Sequence, residues 1–166
     1  MRKYALAATL ALAGTLALSA CNKQDDAQQN TQQVQKAAKP TDPNDSKAWN
    51  AYLGQIVTAN MQGMTADRPY AYLIPAGDDD PSKAMYDRQL SAVQDIIGRG
   101  VLPGNMLVFA GPNSAKTANF ILDAFKGVKA GVFKDVIVLF IGDQADQARV
   151  AAALQPTGAN VRFVAM

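Results

Sequence analysis

Four aspartates and one lysine are the side chains of this chain best suited to chemistry. Asp78, Asp79 and Asp80 follow one apolar run, Asp143 follows another, and Lys116 stands one turn into a predicted helix that opens at Asn113 and Ser114. Carboxylate oxygens are hard ligands, so these aspartates gathered at one rim could hold Mg²⁺ or Ca²⁺. Lys116, Asn113 and Ser114 could then contact a phosphate or carboxylate, helped by the backbone N–H groups of the helix start. A plainer use competes with this one. Asp80 precedes a proline and Asp143 precedes a helical pattern, both places where an N-cap is expected, and a cap contributes about 1 kcal/mol without any ligand.

The rest of the chemical alphabet is narrow. The chain has no His, and all 14 of its acidic residues are Asp. A Ser-His-Asp triad, an imidazole base and a His-ligated zinc are therefore impossible within it. Ala110-Gly111-Pro112-Asn113-Ser114-Ala115-Lys116-Thr117 lies between a strand and a helix, where a phosphate-binding loop would sit. The pattern G-x-x-x-x-G-K-[ST] needs glycine where Ala110 and Ala115 stand, so no nucleotide is expected as a ligand. The aromatics Trp49 and Tyr52 share a helical stripe and are expected in the core, and Tyr70 and Tyr72 share one side of a strand.

The elements that must position these residues alternate along the second part of the chain. Ser46 is the expected N-cap of a first helix that carries Trp49, Tyr52, Leu53, Ile56 and Val57 and ends near Gly63. Tyr70 to Pro75 reads as a first strand, and Asp80-Pro81 opens a second helix that stops at Gly98-Arg99-Gly100. Met106 to Ala110, a helix from Ser114 to Phe125, the continuously apolar strand Val136 to Ile141, a helix from Gln144 to Leu154 and the edge-like strand Val161 to Ala165 complete the pattern. Such alternation with short connections predicts an α/β domain over residues 46–166: a small four-stranded parallel sheet with helices on both faces, Rossmann-like or flavodoxin-like in three layers. Strand order 2-1-3-4 is expected because it puts the most apolar strand inside. In that order the first and third strands are neighbours, and their acidic loops would meet where the strand order reverses. The layout is similar to the acidic pockets of receiver-like and phosphotransfer domains, in outline only.

The N-terminus carries a different kind of signal. Arg2 and Lys3 precede the short apolar run Tyr4 to Leu18, and small residues lead to Cys21, the single cysteine. This is the form of a secretory signal peptide over residues 1–20. Leu18-Ser19-Ala20-Cys21 resembles the lipobox of bacterial lipoproteins. The resemblance implies diacylation of the Cys21 sulfur, cleavage before it and acylation of the new amino group. Asn22, where an Asp would imply inner-membrane retention, implies the periplasmic face of the outer membrane. Three acyl chains exceed the two-signal threshold for stable anchoring.

Residues 21–45 are poor in large apolar side chains and are expected to be a lipidated, disordered tether. Removing Arg2 and Lys3 from the 16 basic residues balances the 14 acidic ones, so neither nucleic acid nor an anionic surface is expected as a partner on net charge. The composition and address favour an interaction or accessory domain in an envelope process, acting without catalysis on a protein partner and without a cofactor. The alternative is a divalent-metal-dependent phosphoryl or sugar-phosphate enzyme, or a small-ligand binder, built on the acidic rim.

Overall fold

Short polar side chains start three of the four helices, and uninterrupted apolar runs form the two interior strands. The computed structural model describes residues 38–166; the expected signal peptide, Cys21 and the expected tether up to residue 37 lie outside the described residues. In chain order the elements are α1 (Ser46–Ala59), β1 (Tyr70–Leu73), α2 (Asp80–Arg99), β2 (Met106–Ala110), α3 (Ser114–Ala124), β3 (Ile137–Gly142), α4 (Gln144–Leu154) and β4 (Asn160–Ala165). A single 3₁₀ turn, Gln155–Thr157, joins α4 to β4.

Two caps fall one residue earlier than the sequence suggests. Asp45, not Ser46, accepts the N–H of Ala48 at 2.9 Å. Asp79, not Asp80, has the extended backbone of an N-cap and accepts the N–H of Ser82 at 3.0 Å. Asp80 and Pro81 are already helical, which suits a proline because the first turn leaves its N–H positions without intrahelical partners. Gly100 ends α2 with φ +92°, a conformation L-residues rarely adopt.

All four strands are parallel, and their order is β1-β2-β3-β4. The expected order 2-1-3-4 is therefore incorrect, and the reason lies in burial. Both β2 and β3 are buried at every residue, whereas Tyr70 and Ala71 of β1 are exposed and β4 is only half-buried. Two fully apolar strands take the two interior positions, and the two strands with exposed residues become edges. A consecutive order has no point at which the winding reverses. The crevice expected between the first and third strands does not exist, because β2 lies between them.

Side chains alternate across a strand, and two separate buried clusters follow from that alternation. Leu107, Phe109, Val138 and Phe140 pack with Val93 of α2, Phe120 and Ile121 of α3 and Val150 and Leu154 of α4. Met106, Val108, Ala110, Ile137, Leu139 and Ile141 pack with Trp49, Tyr52, Leu53 and Val57 of α1. Trp49 is 2% exposed, and its indole N–H donates to the Asp42 carbonyl at 3.0 Å.

Candidate functional site

The acidic residues at the carboxyl ends of the strands are held apart by the sheet. Asp78 and Asp79 follow the edge strand β1 and Asp143 follows β3, so two strand spacings, about 10 Å, separate the two loops. Each carboxylate has its own local setting. Asp78 pairs with Lys116 at 2.7 Å, and this hydrogen bond, followed by the ammonium charge itself, holds the Asp78 carboxyl below the usual range. Asp79 caps α2, and the Ser82 N–H and then the Ser82 hydroxyl lower its pKa. Asp80 lies in the first turn of α2, favourable for a negative charge beside the helix dipole. Asp143 occupies the N-cap position of α4 without a side-chain cap bond. Among the described residues no group of three or more acidic side chains is arranged to hold a metal ion.

The residues expected to contact an anion are engaged with the protein. The Asn113 side chain caps α3 by accepting the Lys116 N–H at 3.0 Å. Lys116 Nζ donates to the carbonyls of Ala76 and Gly77 as well as to Asp78, tying the loop after β1 to the start of α3. Ser114 is 4% exposed. Its hydroxyl donates to Asp146 Oδ2 at 2.5 Å and accepts the Asp143 N–H at 2.7 Å, so one oxygen joins α3 to the first turn of α4.

Asp146 and Arg149 complete this junction, and sequence reasoning did not single them out. Arg149 donates from Nε to Asp146 at 2.9 Å, from Nη1 to Asn119 at 2.6 Å and from Nη2 to the Ala115 carbonyl at 3.0 Å. Burial pushes the Asp146 carboxyl up, but the Ser114 hydroxyl and the Arg149 guanidinium outweigh it and leave the pKa below the usual range. The only sequence hint is an Asp and an Arg three apart on one helical face, a spacing common to solvated ion pairs.

The glycines at the carboxyl ends of the two interior strands stand where a side chain would clash. A Cβ at Gly111 would lie 2.4 Å from the Ile74 carbonyl oxygen and 2.9 Å from Thr117 Oγ1. At Gly142 it would lie 2.4 Å from the Phe140 ring and 2.7 Å from Ser114 Oγ. Neither needs a positive φ. No family model, curated protein or solved structure matches this chain.

An apolar concavity beside the sheet includes none of the acidic rim residues. A groove of about 320 Å³ runs between α1 and the edge strand β1, lined by Leu53, Val57, Met61, Leu73, Val108 and Ala110 among others. Gly54 opens it: a Cβ there would meet nothing within 4 Å. On the other side of β1, Tyr72 stacks on Phe109 with ring centroids 5.5 Å apart, and Tyr70 is 45% exposed. Burial raises the Tyr72 pKa, with the neighbouring Tyr70 adding to it. Among the described residues, no helix is long and apolar enough to cross a membrane.

Proposed function

We propose that this chain is a lipid-anchored lipoprotein at the periplasmic face of the outer membrane, whose folded domain binds a protein partner without catalysis. The lipobox-like Leu18-Ser19-Ala20-Cys21 supports the anchor. The observation that carries the binding reading is the contrast between the acidic rim and the apolar groove. Ser114, Lys116, Asp78 and Asp79 satisfy one another or the backbone, whereas the groove beside α1 offers apolar surface that nothing in the described domain covers. In the three-layer arrangement that the two buried clusters support, α1 is the one helix among the described residues that covers one face of the sheet, and α2, α3 and α4 cover the other. A lone helix over four strands leaves the β1 side of its face open, and an apolar segment of a partner protein fits there.

The test uses Gly54, where space is available. Gly54→Trp should fill the groove, keep the fold and abolish capture of the partner by the anchored chain in cross-linked envelopes, while Gly54→Ala should leave capture intact. Equal capture by Gly54→Trp would refute the groove. Saturable heat on titration with millimolar Mg²⁺ or Ca²⁺, lost in Asp78→Asn, would favour the divalent-metal alternative. Loss of membrane fractionation in Cys21→Ser tests the anchor separately.

A further inference from the structure

The domain's near-balanced charge conceals an uneven pairing of its cations: at the carboxyl ends of the strands Lys116 and Arg149 are each paired with an aspartate. The carboxyl ends of the strands carry Asp78, Asp79, Asp80 and Asp143. At the opposite end, a cleft of about 570 Å³ between the last turns of α2 and α3 is lined by Arg99, Lys126 and Lys129 and by no carboxylate. Among the described residues, none of these three cations has a carboxylate within 4 Å, the only ion pairs being Lys116–Asp78 and Arg149–Asp146. Arg99 spends its Nε on the Asp95 carbonyl, the ordinary role of a cation at a helix C-terminus. Among the described residues no hydrogen bond occupies the side chains of Lys126 and Lys129.

The same end presents apolar side chains to solvent. Val132 is 53% exposed and Leu102 is 74% exposed. Val132 is fixed in place: Gly131 N–H donates to the Pro156 carbonyl at 3.0 Å, and Phe133 N–H donates to the Thr157 carbonyl at 2.9 Å. Phe133 is buried against Phe125, so its neighbour Val132 is turned outward. Gly104 N–H donates to the Asp135 carbonyl at 2.7 Å and ties the loop of Leu102 to the loop of the lysines. Lys134 adds a further cation beside Asp135. Fixed apolar side chains among unpaired cations are the chemistry of a bilayer interface, where phosphates meet the charges and the acyl boundary takes the apolar groups.

We propose that this end of the domain docks on an anionic phospholipid surface, with Arg99, Lys126 and Lys129 on headgroup phosphates and Val132 and Leu102 in the interfacial layer. The biological setting rests on the anchored reading above, since lipid at Cys21 keeps the domain within reach of a bilayer, but the surface chemistry can be tested without it.

The chain from residue 21 onward, carrying Cys21→Ser, is sedimented with vesicles containing phosphatidylglycerol and with vesicles of phosphatidylcholine alone, after a thermal melt confirms a cooperative fold. Binding should require phosphatidylglycerol and weaken with salt. Lys126→Gln with Lys129→Gln should weaken it about 25-fold, at about fivefold per charge, and Val132→Ser should weaken it further with the melt unchanged. Equal binding to both vesicle types, or undiminished binding by the double variant, would overturn the proposal. So would glycerol phosphate moving the backbone amide resonances of 99, 126 and 129 as strongly as vesicles do, which would mark a pocket for a free anion. Failure here leaves fractionation of Cys21→Ser to judge the anchor independently.

Discussion

Replacing Ser114 with alanine removes one oxygen that makes two hydrogen bonds at a nearly inaccessible position. The bond to the Asp146 carboxylate is charge-assisted, worth about 1.5–3 kcal/mol, and the bond from the Asp143 N–H adds about 0.5–1.5 kcal/mol. Asp143 is exposed and water can replace part of its loss, so a net cost of about 2–3 kcal/mol is expected, a fall in Tm of roughly 10 °C. Urea unfolding at pH 7 measures the difference. The pH dependence gives a second reading. Asp146 has a folded pKa below its ordinary 3.8, so its contribution is complete above that value and is lost as pH falls through the folded pKa. The gap between the parent and Ser114→Ala should therefore narrow only in acid. A change below about 0.5 kcal/mol at pH 7, the size of an ordinary surface substitution, would refute the clamp and return Ser114 to the role of a free hydroxyl awaiting a ligand.

Gly111→Ala should destabilise by about 1–3 kcal/mol through overpacking, because its methyl meets a backbone carbonyl that β1 and β2 hold in place; a denaturant midpoint equal to the parent's would contradict this. Gly54→Ala should stabilise by about 0.5–1 kcal/mol, since a helical residue gains propensity and its methyl meets open space; a lower midpoint would show that the groove wall is already full. Trp49→Ala should cost about 3–5 kcal/mol and expose the apolar cluster beneath α1, which a dye for hydrophobic surface would detect. An unchanged melt and no added dye binding would mean that α1 contributes little to the fold.

Element type was legible in the chain because each signal is local. Proline after Asp80, glycine at 100 and the apolar stripe of Trp49, Tyr52, Leu53 and Val57 act within a turn or two of the backbone they shape. The caps slipped by one residue because two adjacent side chains could each cap, and only the backbone angles of Asp45 and Asp79 decide between them. Strand order failed for a different reason. The expected order counts the apolar run of β3 alone, although Met106 to Ala110 is as continuously apolar as Ile137 to Ile141 and has the same need for an interior position. With β1 moved to an edge, the acidic loops part. The Ser114–Asp146 bond spans 32 positions and depends on β2 and β3 lying side by side, so it was out of reach of any local pattern. The basic cleft was hidden for a similar reason: net charge sums over the chain and discards position.

Photocross-linking in the living envelope tests the central claim most directly. The photoreactive residue p-benzoylphenylalanine placed at Thr58, which lines the groove, should give a discrete protein adduct that disappears when Gly54→Trp is added. The same probe at Asp143 on the acidic rim should give none. Adducts from the rim and silence from the groove would contradict the account.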